Sequence, residues 1–250
     1  MELRLDGKSA LVTGASSGLG WRFATVLAAA GARVAVAARR TDRLATLKAE
    51  IERAGGRAHA VALDVTDVAS VRAGVAAAEA ALGPLDILVN NSGVSVTQRA
   101  GDVDEADYDL VMDTNTKGAF FVAQAAGRAM IAAKRPGRII NIASAAGLRV
   151  LGQLSVYCMS KAAVIHMTRA LALEWGRYGI NVNALCPGYI ETEINRDYWD
   201  TDGGRKLIGM LPRRRVGKPA DLDALLLLLA SEHSGFVNGA VIPADDGLTL

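Results

Sequence analysis

The chain has very little cysteine, histidine or proline, and each scarcity removes a class of function. Its two cysteines, Cys158 and Cys186, form no Cys-x-x-Cys pair and have no histidine cluster beside them, so neither a disulfide framework nor a zinc site is expected. The three histidines, His59, His166 and His233, are too scattered to share a metal or to serve a Ser-His-Asp triad. Any catalysis must use other side chains, and no metal is expected. An excess of one charge is also missing: 28 Lys and Arg stand against 26 Asp and Glu, a formal net charge of +2. That balance gives no field for gathering nucleic acid or an anionic membrane surface. The most apolar run, Ala224–Ala230, is far short of the ~20 residues of a membrane-spanning helix and reads as a buried helix face or a subunit contact. Met1-Glu2-Leu3-Arg4-Leu5-Asp6 passes straight into a strand-like run with no basic region followed by a secretory apolar stretch, so a cytoplasmic protein is expected.

With 51% apolar residues and only 6 prolines in 250, the chain suits one large domain over residues 1–250 with a substantial core. Short β-rich runs alternate with segments of helical period. Ser9–Thr13, Arg33–Ala38, Arg57–Leu63, Ile87–Asn90, Arg138–Ala143, Ile180–Ala184 and Ala240–Pro243 are the strand candidates. Over Thr41–Ala54, Leu44, Leu47 and Ile51 mark one helix face and Gly55-Gly56 supplies the stop. Most strand candidates are continuous apolar runs without alternation, which predicts a parallel sheet covered by helices on both faces, a doubly wound α/β fold. Ligands bind such sheets at the carboxyl ends of the strands. Residues 188–215 read as an insertion, rich enough in apolar side chains to close over a ligand.

After the first strand candidate comes Thr13-Gly14-Ala15-Ser16-Ser17-Gly18-Leu19-Gly20, running directly into the helical segment Trp21–Ala30. Glycines let the backbone approach a pyrophosphate, and the helix start offers unpaired N–H groups and a favourable dipole. Gly14, Ser16, Ser17, Gly18, Leu19 and Gly20 are therefore candidate dinucleotide contacts. No Gly-Lys-Ser/Thr ending follows, which disfavours a Walker-type nucleotide loop. An NAD site usually places a carboxylate ~20 residues further on, against the ribose 2′-hydroxyl. That place holds Ala38-Arg39-Arg40, and the first acid past the glycines is Asp42. A guanidinium there pairs with a 2′-phosphate, so NADP(H) is favoured through Arg39, with NAD(H) as the alternative.

Tyr157-Cys158-Met159-Ser160-Lys161 opens a long helical segment, and the four-residue spacing puts Tyr157 and Lys161 on one face. Bringing a tyrosine from its reference pKa near 10 to neutrality takes ~4 kcal/mol of phenolate stabilisation, part of which a nearby ammonium can supply. With these residues in view, the chain resembles the short-chain dehydrogenase/reductase family in its compact single-domain form. The likeness rests on Thr13-Gly14-x-x-x-Gly18-x-Gly20, Asp64, Asn90-Asn91-Ser92-Gly93, Asn115, Ser144, Tyr157-x-x-x-Lys161 and Pro187-Gly188 with Thr192, in order over nearly the whole chain.

The resemblance implies a Rossmann-type sheet and a nicotinamide-dependent oxidoreductase. In that family the residue at Tyr157 exchanges the proton at the substrate oxygen. Lys161 lowers its pKa and holds the nicotinamide ribose, Ser144 polarises the carbonyl, and the backbone at Asn115 holds a water linking Lys161 to solvent. Asp64 and Val65 are expected at the adenine and Asn91 to Gly93 at the cofactor's middle. Pro187, Gly188, Ile190 and Thr192 are expected at the carboxamide and phosphate side. The leading expectation is an NADPH-dependent carbonyl reductase acting reversibly on secondary alcohols. Val94, Ala145, Leu148, Leu154, Tyr189, Tyr198 and Trp199 would form an apolar substrate pocket. A reductase of acyl-carrier-protein substrates is the alternative within the family; Arg128 matches one of its basic positions, but Leu173 stands at the other. A non-catalytic dinucleotide sensor is the alternative outside it, disfavoured because every reacting group is present. Asp245-Asp246-Gly247 stands where the family often has Asp-Gly-Gly; a homotetramer is expected, with a homodimer as the alternative.

Overall fold

The computed structural model describes residues 3–250. Seven strands, β1 (Ser9–Thr13), β2 (Arg33–Ala38), β3 (Arg57–Ala62), β4 (Ile87–Asn90), β5 (Gly137–Ile142), β6 (Ile180–Pro187) and β7 (Val241–Ala244), form one sheet in the order β3-β2-β1-β4-β5-β6-β7. Every pairing is parallel. Alternate residues of each inner strand face opposite helical layers, which is why both sets must be apolar. Val12, Val34, Val89 and Ile140 face a layer built on Phe23 and Leu27, on Leu44, Leu47 and Ile51, and on Leu226 and Leu229. These come from α1 (Gly18–Ala29), α2 (Thr41–Arg53) and α9 (Asp223–Ala230). Leu11, Ala35, Leu88 and Ile139 face Val71, Val75, Val122, Met130 and Leu171. Those lie on α3 (Val68–Leu82), α5 (Ala119–Ala132) and α6 (Ser155–Trp175). The run Ala224–Ala230 is thus one face of α9, with Leu226, Leu229 and Ala230 buried.

The departures from the sequence reading have local causes. α1 starts at Gly18 rather than Trp21, because Ser17 takes the extended cap position and the glycines form the first helical turn. β6 runs on to Pro187, three residues past its expected end, held between β5 and β7. β3 is an edge strand whose Arg57, His59 and Ala62 are exposed, so it lacks the two-sided cover of its neighbours. Between α4 (Glu105–Met112) and α5 the chain makes a π-turn over Asp113–Gly118. Gly118 permits it, since a Cβ there would lie 2.8 Å from the Val65 carbonyl oxygen. Residues 188–215 fold into α7 (Arg196–Trp199) and α8 (Asp202–Met210). No helix among the described residues is long and apolar enough to cross a membrane.

Candidate active site

The chain reverses its winding direction at β1, between β2 and β4, and a cleft of about 680 Å³ opens there along the carboxyl ends of the strands. That is where the topology of a doubly wound sheet leaves a crevice. Its walls come from the turn after each strand: Gly14 to Leu19 after β1, Arg39 and Arg40 after β2, Asp64 to Thr66 after β3. Asn91 to Ser95 follow β4, Ser144 follows β5, and Pro187 to Ile190 close the end of β6.

The glycine turn has no spare room. A Cβ on Gly20 would stand 2.2 Å from the Gly14 carbonyl oxygen, and Gly14 itself has φ +65°, a conformation glycine adopts without strain. The Thr13 hydroxyl accepts from the amides of Asn91 and Ser92 at 3.0 and 3.2 Å, tying the turn after β4 to the one after β1. Opposite, Arg40 donates to the Ser16 and Ser17 hydroxyls at 3.0 and 2.8 Å. At the end of β3, burial would raise the Asp64 carboxyl pKa. Hydrogen bonds from the Thr66 amide and hydroxyl at 3.0 and 2.8 Å, with the nearby charge of Arg39, outweigh burial and hold it low.

At the far end stand Ser144, Tyr157 and Lys161. Lys161 is buried, its Nζ donating to the Ile142 carbonyl at 2.9 Å and lying 5.8 Å from the centre of the Tyr157 ring. Burial pulls its ammonium down from 10.5 to about 8, against an opposing pull from Cys186. Burial likewise raises Tyr157, with a hydrogen bond to Ser144 acting in the other direction. Ser144 Oγ also accepts from the Ala146 amide at 3.1 Å, capping a short 3-10 turn. A Cβ on Gly147 would stand 2.8 Å from the Lys161 carbonyl, so glycine lets this turn lie against α6.

The π-turn carries Asn115 inward, as such turns do at functional sites. Its Oδ1 accepts from the Val94 amide at 2.8 Å, and its Nδ2 donates to the Val94 carbonyl at 2.8 Å and to Ser160 Oγ at 3.0 Å. Ser160 Oγ in turn donates to the Tyr157 carbonyl. A Cβ on Gly93 would lie 3.3 Å from both Asn115 Oδ1 and Lys161 Nζ. The loop after β4, the π-turn and α6 are thereby locked to one another.

Of the expected cofactor contacts, Gly14, Ser16, Ser17, Gly18, Leu19, Arg39, Asp64, Val65, Asn91, Gly93, Tyr157, Lys161, Pro187, Gly188, Ile190 and Thr192 line the cleft. Gly20 sits beneath it. The expected substrate residues divide differently. Val94 and Tyr189 line the cleft, whereas Ala145 is buried behind it, packed on Leu211 and Leu248. Leu148 and Tyr198 are exposed, and Leu154 stands just ahead of α6, off the cleft wall. Trp199 is buried with its ring edge-on to Tyr189 at 5.7 Å. Sequence reasoning missed Asn195, which also lines the cleft; its Oδ1 accepts from the Thr192 amide at 2.7 Å and its Nδ2 donates to the Ile190 carbonyl at 2.9 Å. No motif points to it. Both cysteines are free and buried, and burial pushes the Cys186 thiol up to about 11. Among the described residues no cluster is placed to hold a metal.

Residues 8–203 match the family of short chain dehydrogenases. The chain belongs to the short-chain dehydrogenase/reductase family. It is 37% identical to D-threitol dehydrogenase of Mycolicibacterium smegmatis, over 100% of this chain and 95% of that one. It is 35% identical to the NAD-dependent glycerol dehydrogenase of Listeria innocua, covering 100% and 96%. It superposes with TM-score 0.94 on a gluconate 5-dehydrogenase of Burkholderia cenocepacia in complex with NADP and tartrate, at 38% identity over 99% and 97% of the two chains. As a short-chain dehydrogenase, the protein is an oxidoreductase that uses a nicotinamide dinucleotide.

Proposed function

We propose that the protein interconverts a secondary alcohol and its ketone, using NADP(H), with Tyr157 as the proton-exchanging group. The observation that carries this reading is the convergence of Tyr157, Lys161, Ser144 and Asn115 at one end of a glycine-walled cleft. The cleft suits a dinucleotide because the turn after β1, packed against Asn91 and Ser92 through Gly14 and Gly20, presents backbone without side chains at the start of α1. When bound, the nicotinamide supplies or takes the hydride.

The chain's own residues do the rest. In reduction, the Tyr157 hydroxyl donates its proton to the substrate oxygen, which Ser144 holds by a second hydrogen bond. Lys161, fixed on the Ile142 carbonyl, places a positive charge beside the phenolate left behind. Asn115, bonded to Val94 and Ser160, positions the π-turn backbone for a water that returns the proton from solvent. The burial that raises Tyr157 keeps it protonated at neutral pH, ready to donate.

NADP(H) is preferred over NAD(H) in this reading because β2 ends in Ala38, with no carboxylate, and Arg39 and Arg40 border the cleft beside Ser16. A 2′-phosphate there meets two guanidiniums and a hydroxyl. D-threitol and gluconate, the substrates for which similar proteins are named, head the alcohol panel, with cyclic and aryl ketones on the reduction side. Exposed Tyr108, Leu110, Phe120, Met159 and Leu173 on α4, α5 and α6 give an apolar surface for homo-oligomer contact.

The test is a fluorescence titration with NADPH and NADH, followed by turnover against that panel for the wild type and Tyr157→Phe. Tighter NADPH binding, with turnover lost and affinity kept in Tyr157→Phe, is expected. Preference for NADH would overturn the role of Arg39 and Arg40, and an active Tyr157→Phe would overturn that of the tyrosine.

A further inference from the structure

Just outside the cofactor end of the cleft, three elements meet at one guanidinium. Arg43, in the first turn of α2, donates through both contacts of one terminal nitrogen to Glu193 Oε1 and Oε2 at 3.0 and 3.1 Å. Its Nε donates to the Ser16 carbonyl in the glycine turn at 3.3 Å. The same group lies over the ring of Trp21 on α1, 5.2 Å from its centroid. Glu193 belongs to the loop after β6, between Thr192 and Ile194, both of which line the cleft.

The pair therefore joins the two rims of the cleft. One rim is Ser16 to Leu19, and the other is Thr192 to Asn195. The rims nearly touch: a Cβ on Gly18 would lie 3.6 Å from the Thr192 methyl. The far side of this loop is already fixed, since Asn195 holds the Thr192 amide and the Ile190 carbonyl. Among the described residues, the Glu193 contact is the one hydrogen-bonded tie from its tip to the α2 side. We infer that Arg43 and Glu193 form a latch over the diphosphate part of the cleft, positioning Thr192 and slowing dinucleotide release. This rests on the reading of the cleft as a dinucleotide site but not on which nicotinamide cofactor it prefers.

Three features suit Arg43 to this task. Its fork has donors left for the Ser16 carbonyl while it holds the carboxylate, and the indole face restricts where the guanidinium can go. The side chains of Arg43 and Glu193 are 39% and 48% exposed, so the contact is open to solvent and salt. A pair of that kind is a weak closure that thermal motion breaks readily, and it regulates a rate rather than blocking a path.

The experiment is stopped-flow displacement of bound NADPH, and separately of NADH, from wild type, Glu193→Gln, Arg43→Gln and the double variant. Each is run from about 0.05 M to about 0.5 M salt. At low salt Glu193→Gln should release both cofactors about two- to five-fold faster than wild type. Salt should accelerate the wild type more than the variant, since only the wild type also has the Arg43–Glu193 pair to lose. The double variant should be no faster than Arg43→Gln, since the shared contact can be lost only once. Circular dichroism and melting checks confirm that the variants are folded. Unchanged release in Glu193→Gln, or additive effects in the double variant, would overturn the latch while leaving the cleft assignment standing. A folded wild type that binds neither cofactor would overturn the cleft assignment and the latch with it.

Discussion

Replacing Lys161 with methionine should make the protein more stable at neutral pH while removing its activity. Lys161 is 4% exposed, and burial holds its ammonium near pKa 8 against an ordinary 10.5. A displacement of that size means that the folded state carries the charged form at a cost of about 3 kcal/mol relative to the unfolded chain. Methionine has similar length and no charge, so it removes that cost. It also leaves the Ile142 carbonyl without the donor it now has at 2.9 Å, which costs about 1 kcal/mol. The balance is about 2 kcal/mol of added stability, or a rise of roughly 5 °C in melting temperature for a chain of this size.

The pH dependence separates this account from a general packing effect. Below about pH 8 both folded and unfolded wild type hold the Lys161 proton, and the cost is present in full. Between about 8 and 10.5 the unfolded chain binds more protons than the folded one, so wild-type stability rises with pH through that window. The gain from Lys161→Met should be largest near pH 7 and shrink by pH 9.5. Calorimetry of the cofactor-free protein at pH 7, 8.5 and 9.5 reads it directly, below the range where the raised Tyr157 hydroxyl would ionise. A variant less stable than wild type at pH 7, or a difference that does not change with pH, would refute the reasoning.

Two further expectations follow from the same geometry. Ketone reduction needs a protonated Tyr157 and a charged Lys161, so kcat/KM should be flat near neutrality and fall as pH rises through about 8; a reduction rate that climbs from pH 8 to 10 would contradict the role given to Lys161. Asp246 has φ +56° and pairs with Arg213 and Arg215 at 3.0 and 2.8 Å. Asp246→Gly loses only the pairs, whereas Asp246→Ala also keeps a Cβ in the left-handed region, so the alanine variant should melt roughly 3 °C below the glycine variant. Equal melting temperatures would show that the backbone there is unstrained.

The Asp246 position shows how a departure from a family pattern becomes legible in three dimensions. In the sequence, Asp245-Asp246-Gly247 is a carboxylate where glycine is frequent. In the structure the same residue occupies a left-handed turn and answers two arginines of the 188–215 segment. Aspartate is among the few non-glycine residues that visit that conformation readily. The two cysteines have no motif partners in the sequence, and both are free and buried in the fold.

Hydrophobic continuity in most of the strand runs pointed to the parallel sheet, because strands covered by helices on both faces are chiefly apolar on both. Glycine spacing located the tight turn after β1, because only a residue without Cβ fits at Gly20, between Gly14 and Asn91. The four-residue step from Tyr157 to Lys161 placed both on one face of α6, a relation local to a single helix. What the sequence could not determine was which distant groups share a contact. The salt bridge between Arg43 and Glu193 spans 150 positions, and the hold of Arg40 on Ser16 and Ser17 spans two separate turns. The inward swing of Asn115 depends on a π-turn that no hydrophobic period announces. Each arises where the ends of strands converge, and that convergence exists only once the sheet has assembled.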